Sequence, residues 1–178
     1  MTDMTNNVTV SRARTMTRFV FGDGETIAGT LYGTIVVLAV LAAGGKALED
    51  HLWRLALLVD TTVLVLWMAH VYAHGLAESL RASRRLDVAE LRTVARRELA
   101  MPLVAVAPTV MLVLGATGLF GGRTAVLLAL GIGVATLSVQ GLRYARIEHF
   151  GWRGTLAAVA LNTALGLTLV FPEVLVSH

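Results

Sequence analysis

Residues 52–76 read LWRLALLVDTTVLVLWMAHVYAHGL. Only Arg54 and Asp60 carry a fixed charge across this stretch. About 20 such residues, coiled as a helix, cross the roughly 30 Å hydrocarbon core of a bilayer. A transmembrane strand would need only about ten residues and strict alternation of apolar and polar side chains, a pattern that is absent here. The segment therefore reads as a membrane-crossing helix.

Four more apolar runs flank it: about 26–43, 99–120, 124–142 and 155–176. Hydrophobic residues make up 56% of the 178 residues and charged residues 15%. The mean hydropathy is +0.70. A soluble domain carries a charged shell of about a quarter of its residues, and that shell is missing. The expected class is all-α, an integral membrane bundle of about five transmembrane helices, with the lipid bilayer as solvent. Residues 1–20 form a polar N-terminal segment before one membrane domain, 21–178, and no apolar run there suggests a cleavable signal peptide. With no cysteine, disulfides, iron–sulfur ligation and thiol catalysis are excluded.

Lys and Arg placement sets an expected orientation. Of 15 basic residues, twelve precede the first run, lie between the second and third, or lie between the fourth and fifth. Lys46, Arg54 and Arg123 are the other three. The positive-inside bias places the N-terminus in the cytoplasm and the C-terminus outside, in a membrane of the prokaryotic plasma-membrane kind. The pI near 9.9 then reflects topology, and no nucleic acid is expected as a partner. Residues 77–98 are dense in charge, with Leu86, Leu91 and Val94 on a narrow apolar stripe. They read as a cytoplasmic charged helix, either interfacial or a solvated extension of the second span. Anionic lipid is its expected partner. Gly121-Gly122-Arg123 reads as a tight turn joining spans three and four as a hairpin.

Ionisable groups inside spans are costly and need a reason. At 100° per residue, Asp60, His70, His74 and Glu78 share one stripe of the second span, together with Trp67. His70 and His74, at i and i+4, have the spacing to hold one metal ion through two imidazoles. Histidine pairs near a helix end also arise without a ligand, and Asp60 can pair with Arg54 or be a protonated acid. The first span opens Phe21-Gly22-Asp23-Gly24-Glu25. Asp23 and Glu25 either cap the helix or form an acidic mouth for a divalent cation. Gly29 and Gly33 form a pair that permits close helix approach, and Gln140 and Asn162 can hydrogen-bond between helices. Pro102 and Pro108 should kink the third span.

No nucleotide-binding loop, nucleophile elbow or His-Glu-x-x-His motif occurs, so an enzyme is not expected. No organic cofactor is expected either, although a bound divalent cation is compatible with the polar stripe.

The layout resembles the vacuolar iron transporter family. The resemblance rests on the five-span arrangement and on Phe21-Gly22-Asp23-Gly24 at the start of the first span. The small residues of Gly29-Thr30 and Gly33-Thr34 and the long connection between spans two and three add to it. It implies a cation path at a dimer interface, lined by Asp23, with Met68 and Glu78 as looser matches and His70 and His74 as substitutions. The connection departs from the family, where it is rich in glutamate; here arginine dominates. The expected function is a divalent cation or proton-coupled transporter, a homo-oligomer and preferably a dimer, with its path between helices one and two. The alternative is a membrane scaffold or accessory subunit that assembles through glycine-rich faces.

Overall fold

The computed structural model describes residues 24–81, 83, 85 and 87–176. These residues form seven helices: α1 Gly24–Gly44, α2 Leu52–Arg81, α3 Val88–Arg97, α4 Ala100–Leu103, α5 Val106–Ala116, α6 Gly122–Ile147 and α7 Trp152–Val176. No strand is present among them. Four helices are long and apolar enough to cross a membrane: α1, α2, α6 and α7. A fifth crossing is formed if the α3–α4 rod and α5 count as one span, bent by 46°. The chain therefore has the multi-pass helical architecture read from its apolar runs.

The core joins one stripe from each central helix. Val37, Leu38 and Leu41 of α1 meet Leu55, Val59 and Val63 of α2, Leu112 of α5, and Ala129, Leu130 and Leu137 of α6. Threonines inside this layer leave no hydroxyl stranded. Thr34 Oγ1 donates to the Thr30 carbonyl and Thr30 Oγ1 to the Thr26 carbonyl, each at 2.7 Å. α7 packs on α6 and α1 but leaves most of its circumference exposed, with Leu156, Leu161, Leu167 and Phe171 outward. Such an apolar outer surface is what lipid requires and water would penalise.

The third span differs from a continuous helix over 99–120. Pro102 has no amide to give the Glu98 carbonyl, which accepts instead from the Met101 amide at 3.1 Å. Ala105 N–H donates to Pro102 at 3.2 Å rather than to Met101. Pro108 removes the amide that the Val104 carbonyl would use. The helix breaks between Leu103 and Val106. The freed Met101 carbonyl packs against Gly33, where a Cβ would collide with it and would lie 2.8 Å from Val104 Cγ2. Gly33 therefore serves the broken span, where α1 approaches its backbone. α5 ends at Ala116, four residues early, because Gly118 takes φ +84°. Gly118 N–H then reaches the Gly115 carbonyl at 2.9 Å and Leu119 N–H the Leu114 carbonyl at 3.3 Å, a Schellman cap.

The charged segment is two pieces rather than one. α2 continues to Arg81, the chain turns at Ser83 with φ 50°, and α3 begins at Val88. Asp87 caps α3, its carboxylate accepting from the Ala89 amide at 3.4 Å. α3 packs back against the end of α2. α3 itself carries no fully buried residue; Leu91 and Val94 are half-buried. Between α6 and α7 the expected amide bonds also take another form. Asn162 Nδ2 donates to its own-helix Ala158 carbonyl at 2.9 Å, and Arg143 Nη1 reaches Gln140 Oε1 within α6 at 3.4 Å. The interhelical bond comes from Ser138 and Thr163, 2.7 Å apart, because Gly141 lets the α7 backbone close on α6 at that level.

A Gly33→Ala variant should lose at least about 1 kcal/mol of stability, since its methyl meets backbone that cannot swing aside. Gly131→Ala, which would meet nothing within 4 Å, should lose none. Thermal unfolding of the two variants in detergent checks the contrast.

Candidate metal centre

Three elements converge at the end of the bundle that carries the arginines. α2 supplies His70 and His74. Glu98, the C-cap of α3, stands between that helix and the broken span. α1 closes the wall with Ala28, Gly29 and Tyr32, and Met101 forms the floor. Together they bound an open cleft of about 470 Å³.

His70 Nε2 lies 3.6 Å from Glu98 Oε2. One donor atom from each of His70, His74 and Glu98 falls within 4.8 Å of the others. Ligands on one tetrahedral ion with bonds of about 2.0–2.2 Å stand roughly 3.4 Å apart. The His70–Glu98 pair already has that separation, and His74 needs a side-chain shift of about an ångström. His74 Nδ1 lies 3.3 Å from the His70 carbonyl. A carbonyl can only accept, so that contact is a hydrogen bond only if Nδ1 bears the proton. The lone pair is then on Nε2, free for a ligand. The two imidazoles lie 4.3 Å apart by centroid, and Tyr32 stacks on His70 at 6.2 Å. These contacts restrict how the ligands can turn.

Glu98 gives the site its electrostatic need. Its side chain is only 12% exposed. A Cβ on Gly29 would sit 3.4 Å from Oε2, so α1 presses close on the carboxylate. A carboxylate removed from water requires a compensating positive charge or several hydrogen bonds. Its charge partner among the described residues is His70, which supplies a positive charge only when protonated.

Other expected residues fall elsewhere. Glu78 is exposed, outside the group, although it shares a stripe with His74. Glu98 occupies the place expected for it, because α3 returns the chain to the level of His70. Met68 is 50% exposed on the outer surface of α2. Asp60 lies ten residues from His70, about 15 Å along the helix. It accepts a hydrogen bond from Thr109 Oγ1 of α5 at 2.7 Å and is otherwise exposed. Asp23 lies outside the described residues, and Glu25 is placed only as a backbone position in α1. The cluster lies where α1, α2 and the start of the broken span meet.

Comparison with protein-family models, curated proteins and solved structures gives no match. Trp67, one turn inward from His70 on α2, adds a buried indole N–H with no partner among the described residues.

Asp60→Asn and Thr109→Val, made singly and together, should show a coupling of about 0.5–1.5 kcal/mol in thermal unfolding. Strictly additive losses would mean that the bond between α2 and α5 contributes nothing.

Proposed function

We propose that the protein is a membrane carrier for a divalent transition-metal cation, captured by His70, His74 and Glu98. The observation that carries this reading is the convergence of two imidazoles and one nearly buried carboxylate within 4.8 Å, from two separate elements, in an open cleft. Two nitrogens and one oxygen suit zinc, cobalt, iron or manganese better than calcium or magnesium, which prefer all-oxygen shells. Three protein ligands also leave a coordination position open, as an exchanging site needs and a closed structural site does not.

Depth along α2 supports the same reading. From Leu52 to His70 is about 27 Å of helix, close to the thickness of the hydrocarbon core. The ligands then stand at the membrane boundary, on the side that carries the arginines and is cytoplasmic by the positive-inside bias. A cation entering there meets the start of the broken span at Met101, which lines the cleft. Discontinuous helices of this kind supply ion contacts at membrane depth. In the competing account, His70 and Glu98 form a clamp that only fastens the α3–α4 rod to α2.

Equilibrium binding of cobalt and zinc to the purified protein separates the two. Glu98→Gln and His74→Ala should each weaken binding at least about tenfold, while Glu78→Gln changes nothing. Binding should also weaken on acidification, because imidazole takes a metal only when neutral. Proteoliposomes should take up the bound metal, and the Glu98→Gln protein should not. A folded protein that binds no metal would leave the clamp as the account of this cluster.

A further inference from the structure

The candidate site stands beside charges of the wrong sign for a cation. Arg92, Arg96 and Arg97 of α3 are all exposed and lie within about 9 Å of Glu98 along the helix axis. On a helical wheel they cover the arc opposite Glu98, which shares the inward side with Leu91 and Val94. Arg81 and Arg85 are exposed at the α2–α3 turn. Among the described residues none of these five guanidiniums is in an ion pair, whereas His70 lies beside Glu98. Three positive charges this close would lower the affinity of any divalent cation at the site unless something neutralises them.

The level of α3 indicates what does so. If His70 marks the edge of the hydrocarbon, Arg96 and Arg97, the residues next to Glu98, stand in the headgroup layer, which is roughly 5–7 Å deep. Arginine guanidinium binds phosphate oxygens in pairs, and a basic cluster beside a membrane span attracts anionic lipid. The geometry points to a binding surface for anionic phospholipid headgroups on Arg92, Arg96 and Arg97. The bound phosphates cancel the repulsion on the cation and fix α3 so that Glu98 faces His70. This deepens the cation reading and rests on it for its second half. The lipid surface itself stands on the unpaired arginines.

The test compares the full-length protein with Arg96→Gln/Arg97→Gln. In the first arm, with no metal present, each protein is mixed with spin-labelled phosphatidylglycerol or phosphatidylcholine. The native chain should retain phosphatidylglycerol at least about fivefold more strongly, and the variant should lose that preference. Equal retention of both lipids by the native chain overturns the lipid surface. In the second arm, cobalt binding is measured in vesicles of phosphatidylcholine alone and with phosphatidylglycerol. A general surface potential would raise binding equally for both proteins. The inference requires a larger rise for the native chain, and tighter binding by the variant than by the native chain in phosphatidylcholine. Equal rises overturn the coupling. Selective lipid retention without cobalt binding in either membrane refutes the cation reading and leaves the lipid surface in place.

Discussion

The Met101 carbonyl against Gly33 is the contact on which the rest of the arrangement turns. A continuous third helix would consume that carbonyl in its own ladder. At the break beside Pro102 and Pro108 the Ala105 amide turns to the Pro102 carbonyl instead, and the freed Met101 oxygen lies against a surface without a side chain. α1 offers one at Gly33, with Gly29 a turn away beside Glu98. The two glycines therefore set the height at which the broken span meets α1. That height brings Glu98 to His70 on α2. Close packing makes this placement discrete, because interiors as dense as crystals do not slide continuously.

Polarity is distributed unevenly over the resulting bundle. The half toward Leu41 and Leu52 is a dry core of Leu, Val and Ala, with Gly115 and Gly133 receiving neighbouring side chains. The other half contains Tyr32, His70, His74 and Glu98 around an open cleft. Asp60 marks the boundary between them, held by Thr109 across the α2–α5 contact. A second cleft at the opposite end, lined by Glu49, Asp50, His51 and Arg54, faces the α1–α2 turn. Its acidic groups are surface groups of a loop, and no set of metal-ligating atoms gathers there among the described residues.

Half of the candidate site is legible in the amino-acid sequence. The i, i+4 spacing of His70 and His74 on an apolar helix is a local property, and the fold preserves it. Glu98 is not legible as their partner. It is the last charge before an apolar run, at the end of a segment whose path depends on where α2 stops and how α3 returns. Glu78 has the better local credentials, one further turn along the same helix. It is exposed, on a different side of α2 from the buried Gly75 and Ser79. The glycine pair reads as a helix-packing device in general terms. Its actual partner is a backbone carbonyl freed at a helix break some 70 residues away, which no local pattern encodes.

Hydrophobic run length, the positions of the charges and the two prolines determined by themselves that the chain is a multi-pass helical bundle with a flawed third crossing. These are one-dimensional properties, because a bilayer selects segments by length and polarity one at a time. Which segments touch was decided only in three dimensions. The pairing of Glu98 with His70, the Asp60–Thr109 bond and the Ser138–Thr163 bond each join helices through contacts of one or two ångströms' tolerance. Such contacts depend on the summed volumes of all the side chains between them, and no single stretch of sequence contains that sum.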